Sequence, residues 1–176
     1  MKNSPIRIFL VGYMCSGKTT LGKYLAKEMN LHFIDLDEYI EEKERQTIAQ
    51  IFEVNGEYMF RELEHNYLKE LSLLDDVIIA TGGGAPCFSN NMKLINDTGI
   101  SVYLKTSISI LIDRLLVMGD NRPLVRGKSR EELNKFVIPH FKDRESFYEE
   151  AKIKIICDCW DEKKLSSQLV HVFSDK

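Results

Sequence analysis

Arg7-Ile8-Phe9-Leu10-Val11-Gly12-Tyr13-Met14-Cys15-Ser16-Gly17-Lys18-Thr19 is the stretch on which the fold turns. Ile6 to Val11 is a mostly apolar run of the kind that forms a central parallel strand, and Leu21, Leu25 and Met29 recur at helical spacing beyond it. Between the two, Gly12 to Thr19 reads G-x-x-x-x-G-K-T. A turn joining a buried strand to a helix aims several backbone N–H groups at one point, and the helix N-terminus adds partial positive charge. Lys18 then reaches terminal phosphates, and the Thr19 hydroxyl can ligate Mg²⁺. The pattern predicts a nucleoside triphosphate (ATP or GTP) site over Gly12, Tyr13, Met14, Cys15, Ser16, Gly17, Lys18, Thr19 and Thr20.

Working outward, strand-like runs end near Val11, Leu36, Thr81, Leu104 and Cys157, with helical patterns between them. That alternation predicts an α/β chain: a five-stranded parallel sheet flanked by helices in three layers. Thr47-Ile48-Ala49-Gln50 has the form of a capping box opening a short helix that Gly56 closes. A longer helix is expected from Glu57 to Leu74, with Phe60, Leu63, Tyr67, Leu71 and Leu74 on its apolar face. Val77 to Ala80 leads into Thr81-Gly82-Gly83-Gly84, and Ser129-Arg130-Glu131-Glu132 opens a helix carrying Arg144. Gly119 to Pro123 breaks the helix before it.

The chain has 176 residues, which favours one domain, 1–176. Such a domain buries roughly 70% of the surface its unfolded chain exposes. A net charge of −3 with scattered Lys and Arg gives no footprint for nucleic acid. No apolar stretch approaches the ~18 residues needed to cross a bilayer. Strand pattern begins by Ile6, leaving no room for a signal peptide, so a cytoplasmic protein is expected. Cys15, Cys87, Cys157 and Cys159 lack the spacing of a metal or disulfide framework and read as reduced thiols, the last two packing at a strand end. One core uses up the apolar faces, which points to a monomer.

Asp35 and Asp37 stand two apart at the end of the second strand-like run, so an extended backbone turns both side chains the same way. Ligands bind at that end of an open parallel sheet. Two carboxylates there can hold Mg²⁺, usually through water, or accept a proton from an attacking hydroxyl. Asp37 equally fits an N-cap for Glu38-Tyr39-Ile40, and Arg61 fits an ion pair with Glu57 or Glu64 one turn away.

Taken together, Gly12 to Thr19, Asp35-x-Asp37, Gly56-Glu57-x-x-Phe60-Arg61-x-x-Glu64, Gly82-Gly83-Gly84, Arg122-Pro123-Leu124 and Arg144-x-x-x-Tyr148 resemble the shikimate kinase family in content, order and spacing, from about Arg7 to Asp158. The resemblance implies transfer of the ATP γ-phosphoryl group to the shikimate 3-hydroxyl, in the route to chorismate and the aromatic amino acids. It implies a substrate-binding region over about 35–64 and a mobile lid over about 117–127. Arg61 and Arg144 would grip the substrate carboxylate, Gly82, Gly83 and Gly84 would line the pocket with bare backbone, and Asp37 would bind ring hydroxyls and act as base. Lys18 would neutralise the β and γ phosphates, and Asp35, through water, would join Thr19 in the Mg²⁺ shell. Arg122 would reach over the γ-phosphate as a further catalytic cation.

Three departures from the family pattern stand out. Cys15 occupies a position usually held by glycine, which costs strain if the backbone there has positive φ. Arg114 is the nearest candidate for an arginine that stacks on adenine, and no proline follows Cys157. The alternatives are another P-loop small-molecule kinase, acting on gluconate or a nucleoside monophosphate, and a non-catalytic module that uses ATP as a switch.

Overall fold

The computed structural model describes residues 6–118, 125, 127–159 and 161–174. In chain order it contains β1 (Arg7–Val11), α1 (Lys18–Met29), β2 (His32–Asp35), α2 (Leu36–Glu44), α3 (Ile48–Leu71) and β3 (Val77–Ala80). A 3₁₀ turn (Ala85–Cys87) leads to α4 (Asn91–Thr98), β4 (Ile100–Lys105), α5 (Ile108–Met118), α6 (Arg130–Glu149), β5 (Ile153–Ile156) and α7 (Glu162–Ser174).

The strands form one sheet in the order β2-β3-β1-β4-β5, and every neighbouring pair is parallel. The five-stranded parallel sheet read from the sequence is therefore the one observed. Alternation along β1 divides the core. Ile8 and Leu10 face α1 and α7, where Leu21, Leu25, Leu165 and Leu169 cover them; Phe9 and Val11 face the side built by α2 to α6. All four are fully buried, so truncating Phe9 to alanine costs about 3–5 kcal/mol. The chain leaves β1 for one layer and leaves the adjacent β3 for the other, since Met92 and Ile95 of α4 join the Phe9 side. Two loops departing to opposite faces open a crevice at the carboxyl ends of β1 and β3, the usual ligand position in such sheets.

Both expected capping boxes form: Thr47 with Gln50, and Ser129 with Glu132. Gly56, at φ 77 and ψ 171, interrupts α3 in a conformation that a side chain resists, separating the short helix from the longer one as expected. The longer piece stops at Leu71 rather than Leu74, and its buried face is Phe60, Glu64, Leu68 and Leu71. Leu74 lies beyond the helix and is exposed.

Other expectations need correction. β2 ends at Asp35 and the chain turns directly into α2, so Asp35 and Asp37 do not share an extended strand. The carboxylate of Asp35 accepts a bond from the Asp37 N–H, which makes Asp35, and not Asp37, the N-cap of α2. Helix α7 is absent from the sequence reading, although Leu165, Leu169 and Phe173 recur at helical spacing and are buried against the α1 side. Cys157 packs at the end of β5 as expected, whereas Cys159 is exposed. Among the described residues no helix is long and apolar enough to cross a membrane.

Candidate active site

The loop between β1 and α1 ends in Gly17, which takes the N-cap position at φ 100 with no side-chain cap, leaving the first N–H groups of α1 for a ligand. Lys18 is largely buried, and its ammonium donates to the carbonyls of Gly12 at 2.8 Å and Tyr13 at 3.0 Å, inside the curl of the loop. Met14 and Cys15 are half-buried beside it, Ser16 is buried, and Thr20 is exposed on α1. Cys15 has φ 61, the conformation in which a side chain is strained.

The Thr19 hydroxyl donates to Asp35 Oδ2 at 2.7 Å, tying the start of α1 to the start of α2. These two hard oxygen groups at the loop mouth suit Mg²⁺, which takes one or two protein oxygens and completes its shell with water and phosphate. Among the described residues no cluster of three or more His, Cys, Asp or Glu side chains could hold a metal by itself.

The three glycines after β3 bring the distant parts together. A Cβ on Gly82 would lie 2.6 Å from Asp37 Oδ1 and 3.0 Å from Glu64 Oε1; one on Gly84 would lie 2.7 and 2.8 Å from the two terminal nitrogens of Arg61. A Cβ on Gly83 would lie 3.1 Å from the Met14 amide nitrogen. This ledge of bare backbone thus touches the acid, the guanidinium fork and the phosphate loop at once, approaches that only glycine permits.

Arg61 is held on several sides. It bonds Glu64 at 2.8 Å and Glu57 at 3.1 Å, and its guanidinium lies 4.1 Å from the centre of the Phe88 ring. Both ion pairs anticipated for Arg61 exist, but the Glu64 pair is no surface contact: the Glu64 side chain is 1% exposed. Arg144 is half-buried on α6, and its charge acts on Glu64, Tyr13, Cys87 and Tyr148, groups that ring the ledge and the loop. Tyr148, one turn further along α6, donates to the Gly83 carbonyl at 2.5 Å.

Burial pushes the Glu64 carboxyl up to about 7, with the Arg61 charge opposing the rise. The folded chain therefore holds this proton more tightly than the unfolded chain, whose value lies near the ordinary 4.5. Between those two values the folded state binds more protons, so Glu64 makes stability decline as pH rises. Relative to a Glu64→Gln variant, which keeps an acceptor for Arg61, the parent's thermal midpoint is expected to drop between pH 5 and pH 8. Calorimetry across that range checks it; a constant difference would show that Glu64 is ionised throughout.

Arg114 is tied to the donor side through the edges of its guanidinium plane. Its guanidinium donates to the carbonyls of Cys15 at 3.0 Å, Ser16 at 3.3 Å and Cys157 at 2.9 Å, pinning the phosphate loop to the exit of β5. Arg122, with Pro123, Leu124 and most of the anticipated lid, lies outside the described residues. Glu64, Phe88 and Tyr148 belong to the arrangement yet were not singled out as site residues. For Glu64 the available signal was an acid in line with Phe60, Leu68 and Leu71.

A phosphate loop at a strand-to-helix turn, facing a ledge where a carboxylate and a guanidinium fork meet, defines a P-loop phosphotransferase for a small acidic acceptor. The model of the family described as shikimate kinase matches residues 14–173. A shikimate kinase of Parabacteroides distasonis is 47% identical over 96% of this chain and 95% of its own length. The crystal structure of a shikimate kinase from Bacteroides thetaiotaomicron superposes with a TM-score of 0.92 at 41% identity, covering 97% of this chain and 99% of that one. A shikimate kinase from Acinetobacter baumannii, solved in complex with shikimate, gives 0.86 at 34% identity over 98% of this chain and 96% of the other. The chain belongs to the shikimate kinase family, transferases that phosphorylate shikimate with ATP.

Proposed function

We propose that this chain binds shikimate on the glycine ledge and moves the ATP γ-phosphoryl group to its 3-hydroxyl, with Asp37 at the hydroxyl and Arg61 and Arg144 at the carboxylate. The observation that carries the reading is the double approach at the ledge: Asp37 Oδ1 within 2.6 Å of the Gly82 Cβ position and the Arg61 nitrogens within 2.8 Å of that of Gly84. A planar fork orients a carboxylate as well as attracting it, so the ring is held by its acid with a hydroxyl turned to Asp37.

Phosphoryl transfer passes through a loose transition state that asks little of its base, so Asp37 acts chiefly by aligning the hydroxyl with the phosphate and takes its proton late. Lys18, now on the Gly12 and Tyr13 carbonyls, moves the short distance to the β and γ phosphates when they arrive. Thr19 and Asp35 would hold Mg²⁺, which supplies charge neutralisation on the phosphate oxygens. By family resemblance Arg122 adds a cation over the γ-phosphate, worth about 10³ to 10⁵ in rate in comparable enzymes. The protein acts as one kinase domain, a cytoplasmic monomer with small-molecule partners and no nucleic acid or membrane among them.

A panel of acceptors with ATP and Mg²⁺, read by ADP release, tests the proposal. Turnover on shikimate with none on gluconate or AMP is expected; the reverse rejects it, and no turnover on any acceptor favours the switch module.

Cys15 bears on the donor side. A left-handed conformation costs a non-glycine residue about 1 kcal/mol or more, so Cys15→Gly is expected to raise the thermal midpoint and abolish inactivation by thiol alkylation. Equal alkylation sensitivity in the variant would assign that sensitivity to another cysteine.

A further inference from the structure

His140, Arg144 and Tyr148 lie four residues apart along α6 and so share one face of the helix. The outer two are tied down. The Tyr13 hydroxyl and His140 Nδ1 are 2.6 Å apart, joining the second residue of the phosphate loop to α6. Tyr148 donates to the Gly83 carbonyl at the other end. Gly83 in turn rests against the loop, with its Cβ position 3.1 Å from the Met14 amide. Loop, His140, Arg144, Tyr148 and ledge therefore close a ring of contacts, with Arg144 at its middle and fixed one turn from each anchor.

Three further features make the Tyr13 anchor specific. Tyr13 is 1% exposed, and its ring meets Phe141 edge-on at 5.6 Å, so the hydroxyl has a defined direction. His140 stacks on Phe136 at 4.9 Å and 25°, which fixes its ring plane. Pro139, immediately before His140, gives no N–H to the helix ladder, so the half of α6 that carries Arg144 is less constrained by its own backbone and depends more on such side-chain ties. On the loop side, the Tyr13 carbonyl is one of the two that hold the Lys18 ammonium. Arrival of phosphates draws Lys18 away from that carbonyl, and any adjustment of Tyr13 passes through its hydroxyl to α6.

We infer that His140 is a positioning residue: through its bond to Tyr13 it couples occupation of the phosphate loop to the seat of Arg144, so that nucleotide binding tightens the grip on the acceptor's carboxylate. The inference rests on the reading of Arg144 as a carboxylate ligand. A coupling of this kind makes shikimate bind about fivefold or more tightly when ADP is present, and by reciprocity ADP gains the same factor from shikimate.

The test is calorimetric titration of shikimate into the full chain with and without saturating ADP. His140→Phe keeps the ring stack but removes the nitrogen; combining it with Tyr13→Phe removes both partners, so no buried hydroxyl is orphaned. His140→Asn keeps an acceptor near the place of Nδ1. The parent and His140→Asn are expected to show the ADP-dependent gain, while the double variant shows a ratio within about twofold of one, its thermal midpoint moving little. A merely structural role would weaken both titrations alike and leave the ratio in place. An undiminished ratio in the double variant overturns the inference, as does a parent with no gain. Arg144→Ala separates the two levels: unchanged shikimate affinity there refutes the carboxylate reading itself, whereas a large loss there with an intact ratio in the double variant refutes only the coupling.

Discussion

Asp37→Asn is expected to lower turnover on shikimate by about 10²- to 10⁴-fold, the range for losing a positioned proton acceptor, while ADP binding stays near that of the parent. The separation follows from where Asp37 stands. Its carboxylate is turned to Gly82, on the acceptor side, and its backbone N–H, which the substitution leaves unchanged, makes the bond to Asp35. Asparagine matches the shape of the side chain and retains one oxygen, so the ledge keeps its outline while the negative charge is lost. Steady-state kinetics beside ADP titration decides the matter: equal turnover in the variant removes Asp37 from the mechanism, and a parallel loss of ADP affinity shows that it serves the donor side.

Arg61→Ala should be nearly as damaging, in two distinguishable ways. A charge-assisted bond to the substrate carboxylate is worth roughly 1.5–3 kcal/mol, so shikimate affinity should fall by about 10- to 150-fold with ATP affinity nearly unchanged. The variant also strands Glu64, whose side chain is 1% exposed and whose partner at 2.8 Å is gone. Breaking one half of a buried pair costs about 3–5 kcal/mol, unless the remaining acid takes up a proton. Burial already pushes Glu64 up to about 7, and losing Arg61 pushes it further. The fall in thermal midpoint should therefore be greater at pH 8 than at pH 6. A further Glu64→Gln change in the Arg61→Ala background should recover much of the stability and none of the shikimate binding. If it restored binding as well, Arg61 would act on the substrate only by shielding Glu64.

Much of this arrangement is legible in the sequence. The phosphate loop followed from strand, glycines and helix agreeing over Ile6 to Met29, because buried parallel strands and amphipathic helices leave periodic marks. The kink at Gly56 and both capping boxes were legible for the same local reason, since cap residues bond to backbone three positions away. The proposed ligand set rests instead on order and spacing shared with a family. No local rule says that Arg61 meets Gly84, 23 positions on in the chain, as it does here.

What could not be read depended on competition between local and tertiary effects. Asp35 and Asp37 suit an extended strand by spacing, yet the chain enters α2 at Leu36, because Asp35 caps that helix while holding Thr19. Glu64 reads from sequence as an ordinary partner for Arg61, since sequence gives the spacing of an ion pair and not the solvent around it. The bonds of Arg114 to the Cys15 and Cys157 carbonyls arise through tertiary proximity alone and leave no mark in the sequence. His140 carried no signal, its partner Tyr13 lying at the far end of the chain.

The most direct measurement is a crystal structure of the chain with ADP, Mg²⁺ and shikimate. The account requires the shikimate carboxylate to lie against the guanidinium groups of Arg61 and Arg144, the ring on Gly82 to Gly84, and the 3-hydroxyl at Asp37 facing the phosphate loop. Shikimate bound elsewhere, or reversed with its carboxylate away from both arginines, would contradict it.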